Sequence, residues 1–186
     1  MRLSRTTKIV SFAICLSLSA AGCGKGKSVA TLIQQLEDSN VSVRRQAARD
    51  LRDRGPMATA AVPALAKALK DSDATVRTRS AQALREMGVA ARGAVPELAT
   101  ALKDNDAKVR EIAAATLGRI GPESHTAVSA LLEAVRDGVP GVRRAAVNAL
   151  GRIGPDAKEA VPALKTALND PDYQVRAAAA EALRGI

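Results

Sequence analysis

Apolar and small residues recur in two helical rhythms that alternate along the chain and return every 33 residues. The first reads Ala-Val-Pro-x-Leu-x-x-x-Leu: Ala61-Val62-Pro63 with Leu65 and Leu69, Ala94-Val95-Pro96 with Leu98 and Leu102, and Ala160-Val161-Pro162 with Leu164 and Leu168. Ala127-Val128 with Leu131 and Val135 keeps the rhythm without the proline, and Val29, Leu32 and Leu36 open the series. An i, i+3, i+7 spacing lays one apolar stripe along a helix. Proline is tolerated in a first turn, where the N–H it lacks has no intrahelical partner to lose. Each unit is therefore predicted to begin with a helix, termed helix A.

The second rhythm starts at a Val-Arg pair: Val43-Arg44, Val76-Arg77, Val109-Arg110, Val142-Arg143 and Val175-Arg176. Small or apolar residues follow the valine at +4, +5, +8 and +11, as in Val109, Ala113, Ala114, Leu117 and Ile120. This is helix B, whose alanines let neighbouring helices approach closely. Asn40, Asp73, Asp106 and Asp172 stand where helix B starts and suit an N-cap. Val139, followed by Pro140-Gly141, is the weaker cap of the fourth unit. Gly55-Pro56, Gly88, Gly121-Pro122 and Gly154-Pro155 end helix B as stop-and-turn signals. The fifth helix B is expected to finish at Ile186. Five copies in one phase, without insertion or deletion, define a repeat architecture built from identical two-helix units.

Composition sharpens this picture. The chain is 47% hydrophobic but 1% aromatic, with Phe12 and Tyr173 alone. The core must then be Leu, Val, Ile and Ala, many thin contacts rather than a few large anchors. The net charge is +9, spread thinly: the five units, cut every 33 residues from Ser28, carry +1, +3, −1, +1 and 0. A solvated surface accounts for such a distribution better than a nucleic-acid site does. Both cysteines, Cys15 and Cys23, precede the repeats, so the repeats hold no disulfide and no cysteine metal site.

The first residues follow another logic. Arg2, Arg5 and Lys8 form a basic start, an apolar run extends from Ile9 to Ala21, and small residues lead to Cys23. That is the three-part pattern of a secretory signal peptide, with an apolar run shorter than the ~20 residues that span a bilayer. Ala20-Ala21-Gly22-Cys23 resembles the lipobox of bacterial lipoproteins, with Ala20 where that family usually has Leu. The resemblance implies cleavage before Cys23, lipidation of Cys23, and a protein secreted across the inner membrane and anchored in the cell envelope. Gly24, rather than Asp, next to the cysteine favours the outer membrane over the inner. The expected division is residues 1–22 as signal peptide, 23–27 as lipidated-cysteine linker and 28–186 as repeat domain.

The two-helix unit and its core, Asp104 to Gly121 in the third copy, resemble HEAT repeats, above all the short variety named after phycobilisome lyases. The resemblance covers Ser28 to Ile186. It implies an all-α fold, a right-handed α-solenoid of five 33-residue two-helix repeats with helices A on the convex face and helices B on the concave face. It further implies a ladder between adjacent units, made of Asp38, Asp71, Asp104, Asp137 and Asp170 with Arg44, Arg77, Arg110, Arg143 and Arg176. The family includes scaffolds, bilin lyases, DNA glycosylases and an iron hydroxylase, so membership fixes no activity.

Candidate chemistry is sparse. The ladder recurs in every unit, as packing requires and a unique catalytic constellation does not. His125, the single histidine, sits in a turn near Glu123, and no metal site is expected. Gly24-Lys25-Gly26-Lys27-Ser28 follows no strand and is not a phosphate loop. An extruded base would want aromatic side chains, and a secretion signal removes the protein from the chromosome. These observations argue against nucleic acid, against a cofactor and against an enzyme. The expectation is a monomeric scaffold that binds a protein partner along the concave face, where the units differ: Arg45, Arg49, Arg52, Arg79, Arg85, Arg144 and Arg152, together with the Val139-Pro140-Gly141 turn and Tyr173. A lyase-like or enzyme-accessory protein, and an envelope component binding anionic polymers through a basic concave face, are the alternatives.

Overall fold

The computed structural model describes residues 26–186. The signal peptide and Cys23 lie outside the described residues. Among the described residues ten α-helices make five pairs: α1 (Val29–Gln35) with α2 (Val41–Arg54), α3 (Val62–Ala68) with α4 (Ala74–Met87), α5 (Val95–Ala101) with α6 (Ala107–Ile120), α7 (Val128–Ala134) with α8 (Pro140–Ile153), and α9 (Val161–Ala167) with α10 (Tyr173–Gly185). No strand occurs among the described residues. Odd-numbered helices are helices A and even-numbered ones helices B.

The helix starts are chemical. Asp106 accepts the N–H groups of Lys108 and Val109, Asp73 that of Val76, Asp172 those of Gln174 and Val175, and Asn40 that of Ser42. These satisfy donors that an α-helix leaves open at its first turn. Val139 offers no such acceptor, and α8 starts on Pro140 instead. Helix B stops where glycine adopts a backbone that a side chain resists, as at Gly121 with φ +78°.

Beyond that glycine the structure departs from the simple two-helix expectation. Seven residues of 3₁₀-helix, such as Gly55–Ala61 and Gly121–Ala127, connect each helix B to the next helix A. Helix A proper is only seven residues long. The connector's own alanines explain its regularity: Ala58, Ala61, Ala91, Ala94, Ala127, Ala157 and Ala160 are fully buried. They anchor the tight turn against the helices, so a segment read as a loop is part of the core.

The helix B columns are buried as their spacing requires. Val76, Ala81, Leu84, Val109, Ala113, Ala114, Leu117, Val142, Ala146 and Leu150 are sealed from solvent. The terminal units differ. Val43 is half-buried at one end; at the other Ala180 is exposed, Leu183 and Ile186 are half-buried, and Leu168 is 38% exposed where its counterparts Leu36, Leu69 and Leu102 are covered. Among the described residues no further unit packs on them. Successive helices B lie tightly side by side, whereas successive helices A touch sparingly. A two-layer stack crowded on one side bends toward it, which places helices B on the concave face.

Candidate partner-binding face

Two sets of polar residues cross from unit to unit. The first lies at the edge where helix A turns into helix B. Arg77 donates from Nε and Nη2 to the two carboxylate oxygens of Asp104 at 2.7 and 2.9 Å. Arg44 does the same to Asp71, Arg110 to Asp137 and Arg143 to Asp170, all at 2.7–3.0 Å. The third nitrogen, Nη1, donates to the backbone carbonyl of the aspartate in the arginine's own unit, as from Arg77 to Asp71 at 2.9 Å. Each of those aspartates also accepts the backbone N–H two residues on, as Asp104 does from Asp106 at 2.8 Å.

A planar fork on a carboxylate fixes both distance and rotation. The ladder therefore has four rungs for five units. Among the described residues Asp38 takes a backbone N–H from Asn40 but no arginine, and Arg176 donates only to the carbonyls of Asp170 and Pro171. Burial opposes ionisation of Asp104 and Asp71, yet the arginine and backbone donors outweigh it and hold both carboxyls below their ordinary range. At Asp137 and Asp170 the arginine bond is itself the largest influence, in the same direction. These groups are structural ions, each carboxylate held by an arginine fork and a backbone N–H, a poor basis for proton transfer.

The second set is the arginines expected to meet a partner, and the structure divides them. Arg45 forks onto Asp73 of the next unit, with Nε 2.9 Å from Oδ1, which pushes the Asp73 carboxyl far down. Arg79 donates to the backbone carbonyl of Arg45 at 2.9 Å. Both are engaged in joining the first two units. Arg49 and Arg52 lie beside Asp53 at 3.9 and 2.7 Å on α2. Arg85, Arg144 and Arg152 come together over α4, α6 and α8, around a recess of about 240 Å³ that also includes Glu111 and Asn148. Arg152, Asn148 and Arg184 line a second recess of about 420 Å³ over α8 and α10. Tyr173, 67% exposed, stands at the N-terminus of α10.

Glu111, Asn148 and Arg184 were not legible as site residues, because nothing in a single unit marks them. For Arg184 a signal existed, the column nine residues after the valine: Arg52, Arg85, Gly118, Gly151, Arg184. His125 is exposed, with Nδ1 3.2 Å from the Pro122 carbonyl. Among the described residues no group of three or more His, Cys, Asp or Glu is placed to hold a metal ion, and no helix is long and apolar enough to cross a membrane.

Stacked two-helix units, an inter-unit ladder and an unbroken inner layer of helices define an α-solenoid. The model of HEAT repeats matches residues 29–99 and 95–184, and the chain belongs to the HEAT-repeat family. No curated protein matches it. Among solved structures it is similar to the complex of CpcE and CpcF of phycocyanin lyase from Nostoc sp. PCC7120, at 30% identity over 96% of this chain and 70% of that one, with a TM-score of 0.74. An engineered protein shares 24% identity over 86% of this chain and 79% of its own, TM-score 0.72. A designed armadillo repeat protein in complex with the peptide (KR)4 shares 19% over 84% and 81%, TM-score 0.73. These last two carry the fold alone.

Proposed function

We propose that this chain is a non-enzymatic HEAT-repeat scaffold that binds a protein partner along its concave face while tethered to the cell envelope through lipid on Cys23. The observation that carries the binding half is the meeting of Arg85, Arg144 and Arg152 on the inner layer of helices B, over a floor of alanine and glycine. An inner face of rigid helices presents cations in fixed positions, which favours recognition of an acidic surface. The tether half rests on the basic, apolar and small-residue pattern that ends at Cys23. Several acyl chains on one cysteine hold a protein at a membrane where one chain alone would not, and the short Gly/Lys linker gives the repeat domain reach. The outer membrane is the favoured location.

Capture of a partner from the envelope should be salt-sensitive. It should weaken on charge reversal at Arg49, Arg52 and Arg144 and withstand reversal at Lys67 and Lys103 on helices A. Capture that withstands the first set and fails with the second would place the binding face elsewhere.

A second reading, a lyase-like or enzyme-accessory protein, draws on the similarity to the CpcE and CpcF complex. It predicts a heterodimeric partner of the same repeat class. Copurification of the native protein with a second HEAT-repeat chain would favour it, and copurification with an unrelated acidic protein would favour the scaffold.

A further inference from the structure

Helices α6, α8 and α10 approach so closely that two positions on the inner face cannot carry a side chain. A Cβ on Gly118 would stand 2.9 Å from the Cα of Ala149, and one on Gly151 would stand 2.7 Å from the Cα of Ala182. The same column holds Arg52, Arg85 and Arg184 in the other units. The close packing therefore opens a gap in a row of arginines. The two recesses described above occupy this gap, one including Gly118 and the other Gly151.

Charge within the gap is unevenly matched. Arg85 lies 3.3 Å from Glu86, and Arg184 lies 3.2 Å from Glu181. Arg144 donates to Gln174 and lies 4.0 Å from Glu111. Arg152 lines both recesses and has no acidic or hydrogen-bonding partner among the described residues; the side-chain amide of Asn148, which also lines both, has none either.

We infer that the two recesses form one subsite for an extended acidic segment of the protein partner, with a carboxylate seated on Arg152. The inference rests on the reading of the concave face as the partner-binding surface. A guanidinium takes a carboxylate through two parallel N–H bonds. The Asn148 amide both donates and accepts, so it can pair with a peptide group of the same segment. Ala115, Ala145 and Ala149 give the acid's methylene groups an apolar floor. One uncompensated cation matches a monoanionic side chain. Neither recess has an aromatic residue on which a base could stack, so the chemistry favours a peptide over a single-stranded nucleic acid.

The test uses the full chain and a short fluorescein-labelled peptide of alternating Glu and Ala. Fluorescence anisotropy should show binding that Arg152→Glu weakens about tenfold or more, the effect of losing a charge-assisted pair. Ala115→Glu, which sets a carboxylate in the first recess, should weaken it likewise. Lys67→Glu, on α3 outside both recesses, should leave it unchanged. The backbone amides of Gly118 and Gly151 should shift in the NMR spectrum of the peptide-bound protein. If Ala115→Glu does not fold, Arg152→Glu decides. Peptide binding that survives Arg152→Glu and fails in Arg49→Glu overturns the subsite and leaves the concave-face reading standing. No binding by the unsubstituted chain also overturns the subsite, while envelope capture tests the broader reading separately. Tighter binding of a single-stranded oligonucleotide through Arg152 overturns the ligand class.

Discussion

Arg77 holds two units at once: its Nε and Nη2 grip the carboxylate of Asp104 in the following unit, while its Nη1 holds the backbone carbonyl of Asp71 in its own. One side chain thus ties the turn of one unit to the turn of the next. With side chains only 15% and 11% exposed, the pair is shielded from the solvent screening that makes surface ion pairs weak.

Removing the charge from one rung should therefore be costly. Asp104→Asn leaves Arg77 half-buried without its counter-ion, and about 2–4 kcal/mol of stability should be lost. The measurement is the urea midpoint. A change below about 0.5 kcal/mol, the range of ordinary surface substitutions, would mean that the rung is ornamental.

The same rungs give the protein an acid limit. Asp71, Asp104, Asp137 and Asp170 titrate lower when folded than when unfolded. The unfolded state then binds more protons in acid, so these groups contribute their full stability above the unfolded value of about 3.9 and lose it as pH falls through the folded values. The Arg44, Arg77, Arg110 and Arg143 partners are shifted upward, so their contribution is complete at every neutral or acidic pH. The urea midpoint should be level near neutrality and drop steeply below about pH 4, and Asp104→Asn should flatten that drop. An acid limb of unchanged steepness in the variant would contradict this.

Ser80 offers a gain in stability. Its hydroxyl is buried without a hydrogen-bond partner, in a column otherwise filled by Ala47, Ala113, Ala146 and Ala179. Nearby Thr116, also buried, is satisfied by the carbonyls of Ala81 and Ile112. Ser80→Ala removes an unsatisfied polar group and should stabilise by about 1 kcal/mol. Thermal unfolding reads the sign, and a destabilised variant would reveal a bond that the structure does not contain.

Glycine-to-alanine changes should have opposite signs at two sites. In a helix interior alanine normally gains about 0.5–1 kcal/mol over glycine. At Gly151 the new Cβ would meet Ala182 backbone at 2.7 Å, and overpacking costs of about 1–3 kcal/mol should win. At Gly138 nothing lies within 4 Å and φ is not positive, so alanine should stabilise by about 0.4–1 kcal/mol through the unfolded state. Equal effects at the two sites would refute the close packing of α8 on α10.

Cys23→Ala should release the protein from membranes into the soluble envelope fraction and abolish incorporation of labelled fatty acid. Unchanged membrane retention would rule out the lipid tether.

Much of this architecture was readable from spacing. Val109, Ala113, Leu117 and Ile120 mark a buried stripe, and Asp106 caps its helix, because such features depend on residues a few positions apart. The 3₁₀ connectors were missed because Gly-Pro signals a stop, while the regularity after it comes from alanines buried against other helices. The sense of the ladder was also hidden within a unit. Arg77 lies six residues after Asp71 yet takes only its backbone carbonyl, and it keeps its fork for Asp104, 27 residues on. Arg45 and Arg79 looked free in sequence, and only the neighbouring unit shows them occupied. The recesses over Gly118 and Gly151 depend on helix separation, which no single unit encodes.

The central claim is that the inner layer of helices B meets a protein partner. A photo-crosslinking residue placed at Asn148 on the concave face, and separately at Lys67 on helix α3, tests it in the native envelope. The account predicts a discrete protein adduct from position 148 and none from position 67. An adduct from position 67 with none from position 148 would contradict it.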